Sequence, residues 1–167
     1  TLLHGMAHMW FGNLVTMQWW NGLWLNESFA NFMAFLALAE ATEFRDAWHS
    51  FYASEKTWAY RDDARATTHP IEVVVADARS SFANFDGISY GKGAAILKQL
   101  YFLLGPEAFR SGVSAYLRER AWRNARLEDF VAALAQASGR NLDAWTREWL
   151  LAAGTNTVRA TVQCTAG

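Results

Sequence analysis

The sequence predicts a mostly α-helical fold of six or seven helices with one or two short strands. Three observations support this class. Apolar residues recur with helical spacing through residues 23–40. Pro106 directly follows Gly105, as expected where one helix ends and the next begins. Gly139 follows the periodic segment 127–138, and glycine is the residue that most often ends a helix. The 167 residues, 52% of them hydrophobic, suffice for one domain with a sizeable core.

Each element follows from the same signals, taken in chain order. Helices are expected over residues 1–12, 23–40, about 43–60, 88–104, from Pro106 onward, and over 127–138. A last helix is expected to be capped by Asn141 and to end at residue 153, directly before Gly154. The helical pattern breaks over residues 61–87, where residues 71–75 form a short extended run. Alternation of small apolar residues over 157–163 predicts a strand.

Charge and composition exclude several classes of function. The net charge of −1, without a basic stripe, argues against nucleic-acid binding. No run of 18 apolar residues is available for a membrane span, so no membrane partner is expected. The single cysteine, Cys164, excludes an internal disulfide framework and leaves the compartment open, with the cytoplasm favoured. Because Thr1 lies only three residues before the first chemically interesting side chain, we expect a piece of a longer protein.

A candidate metal site lies near the beginning of the chain. His4 and His8 are four residues apart, so a helix places both imidazoles on one face. Glu27 follows early on the next predicted helix, which an antiparallel arrangement brings against the two histidines. Two histidines and one carboxylate suit a catalytic zinc ion, with a fourth position left for water.

The sequence around these residues resembles that of the aminopeptidase N family of zinc metallopeptidases. The resemblance is carried by HGMAHMWFGNLVT at 4–16, WW at 19–20, WLNESFA at 24–30 and ISYGKGA at 88–94. The family pattern is His-Glu-x-x-His, eighteen residues, then Glu, and the number of intervening residues matches. The rest of the chain follows the family more diffusely.

The resemblance implies a fold, a reaction and a set of roles. Residues 1–155 correspond to the helical zinc-binding lobe of a thermolysin-like catalytic domain, and residues 156–167 to the start of a following β segment. One zinc ion would be held by His4, His8 and Glu27, and Tyr90 would stabilise the oxyanion formed on a peptide substrate. The family's amine-gripping segment and its sheet-bearing N-terminal lobe do not match any part of this sequence.

Gly5 departs from the family pattern, since glutamate stands at this position in the family. That glutamate acts as general base, and its loss typically costs about 10²–10⁴-fold in rate. We therefore expect metal binding to survive and hydrolysis to be nearly absent. Three origins of Gly5 stay open: natural degeneration of the site, deliberate engineering, or an accident of cloning. The intact ligand set favours a recent or deliberate change.

Three alternatives to the aminopeptidase interpretation stay open. The first is a non-catalytic zinc- or peptide-binding relic, and the second is an epoxide hydrolase, since relatives with this motif open lipid epoxides. The third is a purely structural helical module without metal. We also expect apolar surface and self-association of the chain.

Four further residues near the motifs have specific expectations. Lys92 begins a predicted helix and is expected to be solvated. His69, followed by proline in the long loop, is expected to be an ordinary loop histidine or to line a substrate path. Gly22 and Ser28 stand where many relatives carry aspartate and glycine, and both lie close to Glu27.

Overall fold

A computed structural model describes residues 1–157 and 159–163. Within these residues the fold is mostly helical, as predicted, with two short strands. The α-helices are α1 (Leu2–Ala7), α2 (Leu23–Ala41), α3 (Ala47–Phe51), α4 (Thr57–Asp63), α5 (Gly93–Leu104), α6 (Pro106–Glu119), α7 (Leu127–Ser138) and α8 (Asp143–Trp149). The strands are β1 (Val15–Met17) and β2 (Arg123–Ala125). None of the described helices has the length and apolar character needed to cross a membrane.

Helix α2 forms the centre of the hydrophobic core. Its Phe29 side chain is fully buried, because it stacks on Phe11 with ring centroids 4.2 Å apart and meets the edge of Phe130 at 5.1 Å. Leu97 and Leu100 of α5 are buried in the same core. This aromatic packing fixes α2 against the turn after α1, and so determines how the motif residues of the two helices face each other.

The two strands form a parallel pair, with Val15 opposite Arg123 and Met17 opposite Ala125. Strands were predicted elsewhere, in the long loop and near the C-terminus. Residues 71–75 have no strand structure, and the described residues of 157–163 are irregular, with Val158 outside the described part. An alternating pattern indicates which residues are buried, but a ladder also needs a partner, and the sequence does not specify one.

Two of the predicted helices are broken or shortened. The helix expected over 1–12 ends at residue 7 and continues as a turn. The helix expected over 43–60 is divided by a π turn (Tyr52–Lys56) between α3 and α4. A second π turn (Ile88–Lys92) precedes α5. Hydrophobic periodicity does not predict these local changes of hydrogen-bond pattern.

Glycine and proline mark most helix ends as predicted. Gly105 has φ of 81°, a left-handed value that suits glycine, and connects α5 to Pro106 at the start of α6. Gly139 has φ of 67° and ends α7. At the start of α8, the Asn141 side chain accepts a hydrogen bond from the backbone N–H of Asp143 at 2.8 Å. The helix ends at Trp149, earlier than the predicted residue 153.

Large apolar side chains are exposed on and just after α1. Leu2 is 86% exposed, and Met6, Met9 and Trp10 are each about half exposed. An exposed cluster of this kind is typical of a surface that meets another protein surface. Self-association, and the division of the chain at residue 155, stay predictions; Cys164 lies outside the described residues.

Candidate metal centre

Helices α1 and α2 bring the predicted metal-binding side chains together. His4 lies in α1, and His8 is the residue that caps its C-terminal end, with its backbone N–H 3.2 Å from the His4 carbonyl oxygen. Glu27 lies in the second turn of α2. All three side chains are partly buried, which limits their hydration.

The three potential ligand atoms form a compact triangle. The Nε2 atoms of His4 and His8 are 3.0 Å apart, and Oε2 of Glu27 is 3.5 Å and 3.4 Å from them. Atoms that bind one zinc ion at about 2.0–2.2 Å in tetrahedral geometry are separated by roughly 3.3–3.6 Å. The two nitrogen–oxygen separations lie in this range and the nitrogen–nitrogen separation is somewhat shorter, so the triangle is close to the size that a single zinc ion requires. Among the described residues this is the one group of three His, Cys, Asp or Glu side chains with such spacing.

The outer hydrogen bonds orient both imidazoles. Asn31 donates its amide to the Glu55 carboxylate at 2.9 Å, so its Oδ1 faces His4 and accepts from His4 Nδ1 at 2.8 Å. His8 Nδ1 lies 2.9 Å from the carbonyl oxygen of Phe11, which can only accept. These bonds hold each ring through Nδ1, so both Nε2 atoms face the centre, where they can present lone pairs to a metal ion.

The centre thus directs two ring nitrogens and one carboxylate oxygen at one point. At these distances the three atoms repel one another unless a proton or a metal cation lies between them. Nitrogen and carboxylate oxygen donors in this ratio suit zinc better than calcium or magnesium. The residues present thus fit a zinc ion, and their role as ligands stays a prediction.

Tyr90 lies beside this triangle, on the second π turn. Its ring is nearly parallel to that of His4, with centroids 6.3 Å apart. Burial raises the pKa of the Tyr90 hydroxyl well above its ordinary value, and the charge of Glu27 and a hydrogen bond to that carboxylate raise it further. Tyr90 therefore keeps its proton at neutral pH and can donate a hydrogen bond at the centre.

Gly5 occupies an open position between the two histidines in sequence. A β-carbon built on Gly5 meets no other atom within 4 Å. The residue is exposed, within the helical stretch that carries His4. A β-carbon therefore fits here without rearrangement, and glycine itself supplies no side-chain group that could accept a proton.

Ser28 and Gly93 explain how α2 approaches α5. The fully buried Ser28 hydroxyl donates to the carbonyl oxygen of Ser89 at 2.5 Å, one residue before Tyr90. A β-carbon on Gly93 would collide with Ser28 Oγ. Gly22 is buried, and a β-carbon there would lie 3.3 Å from Met17 Cβ. Ser28 thus helps to hold the turn that carries Tyr90.

Lys92 is not the solvated residue that the sequence predicted. Its ammonium group lies 2.9 Å from Asp63 and donates to the Gly154 carbonyl oxygen at 2.8 Å, with only 13% of its side chain exposed. The pair joins the second π turn to the end of α4 and to the segment after α8. A buried ion pair of this kind is structural, because breaking it leaves a charge without a partner.

His69 has a carboxylate partner that sequence spacing did not reveal. Its Nε2 lies 2.9 Å from Asp86, whose other oxygen accepts the backbone N–H groups of Ile88 and Ser89, each at 3.0 Å. The hydrogen bond to Asp86 raises the pKa of His69, against the opposing effect of burial. His69 thus supports the turn that carries Tyr90; its proximity to a substrate path stays a prediction.

Asn31 and Glu55 were absent from the sequence prediction. Asn31 carried a usable signal, since it is an isolated polar residue in an apolar helix, four residues after Glu27 and so on the same face. Glu55 carried none, because its position depends on the first π turn. Burial raises the pKa of Glu55, and the hydrogen bond from Asn31 and the nearby His4 oppose this.

The fold and the centre together define a helical domain with the donor geometry of a two-histidine, one-glutamate metal protein. Residues 1–149 match the protein family described as "Peptidase family M1 domain", and the chain belongs to this family. The match covers both helices of the centre and the turn with Tyr90.

Individual relatives agree with this assignment. Aminopeptidase N of Streptomyces lividans is 48% identical over 165 residues, which is 98% of this chain and 19% of the relative. Tricorn protease-interacting factor F2 of Thermoplasma volcanium is 45% identical, covering 92% of the chain and 20% of the relative. Leucyl aminopeptidase of Saccharolobus solfataricus is 40% identical, covering 95% and 20%. The chain thus spans about a fifth of the length of these relatives.

Proposed function

We propose that this chain forms the metal-binding helical part of a zinc-dependent aminopeptidase. The observation that carries the proposal is the convergence of Nε2 of His4, Nε2 of His8 and Oε2 of Glu27, which lie 3.0–3.5 Å from one another. The names of two of the relatives described above, aminopeptidase N and leucyl aminopeptidase, support the reaction class. The substrate class would be peptides with a free N-terminus.

The proposed roles divide among the residues of the centre. When bound, zinc would act as a Lewis acid that polarises a carbonyl group and lowers the pKa of a water molecule bound to it. His4, His8 and Glu27 hold the ion, and Tyr90 donates a hydrogen bond to the oxygen on which negative charge develops. We propose that recognition of the free amino group comes from a further lobe, within the length of the relatives that this chain does not span.

Gly5 sets the expected activity of the chain. In a His-Glu-x-x-His helix the glutamate accepts the proton that the attacking water loses, and glycine has no atom for this step. We therefore propose that the chain binds zinc but hydrolyses peptides very slowly. The alternative, a non-catalytic zinc-binding relic, shares the metal site and differs in what a glutamate at position 5 would do.

Zinc titration of the purified chain tests the metal site. We expect one zinc per chain, and loss of tight binding in His4→Ala. His49→Ala is the matched control, because His49 is an exposed histidine on α3 and should leave zinc affinity unchanged. Equal zinc affinity in all three chains would contradict the proposed ligands.

Restoring the base tests the reaction. In the full-length protein, which would include the further lobe, Gly5→Glu should raise hydrolysis of an aminoacyl-p-nitroanilide by about 10²–10⁴-fold. Gly5→Ala is the control, since it fills the same open space without a proton acceptor. Zinc binding without any gain from Gly5→Glu would favour the relic, and opening of a lipid epoxide by that variant would favour the epoxide hydrolase.

A further inference from the structure

We propose that Asn31 and Glu55 act as positioning residues that orient His4 for zinc, with the Glu55 charge transmitted through the Asn31 amide. The inference rests on the proposed zinc site and assigns a function to two side chains that make no direct contact with the ion. The arrangement is a chain of three groups: imidazole, amide and carboxylate. We call it the His4 relay.

The direction of each hydrogen bond in the His4 relay follows from the chemistry of its members. The Glu55 carboxylate can only accept, so the Asn31 amide nitrogen, 2.9 Å away, must point to it. The Asn31 carbonyl oxygen then faces His4 Nδ1 at 2.8 Å and can only accept the ring proton. The relay therefore holds His4 in the tautomer that leaves Nε2 free for a metal.

The two histidines depend on different kinds of support. His8 Nδ1 is held by the backbone carbonyl of Phe11, which no substitution removes. His4 depends on side chains alone, and it precedes Gly5, whose backbone is the least restricted in the helix. Orientation of His4 therefore requires more help than orientation of His8, and the relay supplies it.

Both π turns bring a side chain to this centre. Glu55 lies on the first and Tyr90 on the second. The turns pack in direct contact, because a β-carbon on Gly91 would collide with the Glu55 carbonyl oxygen. Such interruptions of helical hydrogen bonding are frequent at functional sites. The first turn thus places the carboxylate next to the buried Asn31 side chain.

Zinc affinity of the complete chain, measured by competition with a chelating indicator, tests the relay. Groups that hydrogen-bond metal-bound histidines typically contribute about 10–100-fold in metal affinity. We expect losses of this size in Asn31→Ala and of about 10-fold in Glu55→Gln, which keeps an acceptor but removes the charge. Glu43→Gln is the matched control, because Glu43 is an exposed carboxylate in the connection after α2.

A charge-swapped pair distinguishes the relay from ordinary packing. Asn31→Asp alone places two carboxylates side by side, whereas Asn31→Asp combined with Glu55→Gln moves the charge one group closer to His4. The double variant should regain most of the wild-type zinc affinity, and Asn31→Asp alone should lose metal-free stability. Unchanged affinity in both Asn31→Ala and Glu55→Gln, with wild-type zinc binding intact, overturns the relay.

The tautomer of His4 in the metal-free chain gives an independent readout. Nitrogen-15 NMR of wild type should show His4 protonated at Nδ1, and Asn31→Ala should show a mixture of tautomers. If wild type binds no zinc but holds this tautomer, the zinc site is refuted, and only the orientation of the His4 ring by Asn31 and Glu55 is retained. If Asn31→Ala leaves the His4 tautomer unchanged, the relay is refuted whatever the zinc affinity.

Discussion

The rings of His4 and Tyr90 lie nearly parallel, with centroids 6.3 Å apart and planes inclined by 13°. One residue belongs to α1 and the other to the second π turn, so the contact joins the two parts of the family motif. It also fixes the phenol beside the proposed zinc ligands, where a developing negative charge would lie. In the proposed reaction, Tyr90 therefore acts on the substrate and is not one of the metal ligands.

Replacement of Tyr90 should therefore separate catalysis from metal binding. In a chain that carries Gly5→Glu, Tyr90→Phe should lower kcat by about 10²–10³-fold, the usual cost of one oxyanion donor. Zinc affinity should stay at the parent value, because phenylalanine keeps the ring that packs on His4. Steady-state kinetics and zinc titration on the same preparations measure both quantities.

Tyr60→Phe provides the control for this comparison. Tyr60 is an exposed tyrosine on α4, about half accessible to solvent, and loss of its hydroxyl should change neither quantity. A fall in zinc affinity as large as the fall in kcat would assign Tyr90 to the support of the metal site instead of to the reaction.

Local signals were sufficient to predict most of the helices and the placement of the two histidines on one helical face. The spacing of His4 and His8 is a property of one helix, and Gly105 and Gly139 end helices through their own backbone preferences. These features depend on neighbours in sequence. The sequence therefore predicted them without any knowledge of tertiary contacts.

Features that depend on distant contacts were not predictable from the sequence. The two strands pair across more than a hundred residues, and Lys92 becomes buried because Asp63 and Gly154 lie around it. Glu55 reaches the centre through a π turn that hydrophobic periodicity does not reveal. In each case the partner, and not the local pattern, decides the outcome.

The contact between Ser28 and Gly93 gives a second prediction. Gly93→Ala should destabilise the chain by about 1–3 kcal/mol, because its β-carbon collides with the buried Ser28 hydroxyl. In a Ser28→Gly background the same change should be close to neutral, since the colliding atoms are absent. Urea unfolding followed by tryptophan fluorescence gives the four free energies of this cycle.

Ser28→Gly alone is the reference for the cycle. It loses the hydrogen bond to Ser89 and adds a glycine within α2, so each effect should lower stability by roughly 1 kcal/mol. Equal effects of Gly93→Ala in both backgrounds would show that the collision is relieved elsewhere and that the two helices are not held at this distance by these residues.

Glu72 is a largely buried carboxylate away from the metal centre. It accepts hydrogen bonds from the indole of Trp24 and the amide of Asn21, and its backbone N–H donates to the Leu150 carbonyl oxygen at 3.0 Å. Burial raises the pKa of Glu72 from 4.5 to about 7, although the two hydrogen bonds oppose the shift, and the charge of Glu128 raises it further. The folded chain therefore favours the protonated form of this side chain.

This shift predicts a loss of stability as the pH rises. Between about pH 4.5 and pH 7 the folded chain holds a proton on Glu72 that the unfolded chain has released, so the free energy of unfolding falls with increasing pH. The full cost, at most about 3 kcal/mol, is reached above pH 7 and vanishes below the unfolded pKa. Glu72→Gln should remove this dependence.

Unfolding of wild type and Glu72→Gln across this range tests the shift. Glutamine mimics the protonated acid, because its amide can donate to Asn21 once that side chain turns. The variant should be more stable than wild type at about pH 8 and equal to it near pH 4.5. Glu128→Gln, which removes the repelling charge, should move the wild-type transition to lower pH. Parallel stability curves for wild type and Glu72→Gln would mean that Glu72 is ionised in the folded chain at neutral pH, with its two hydrogen bonds outweighing burial.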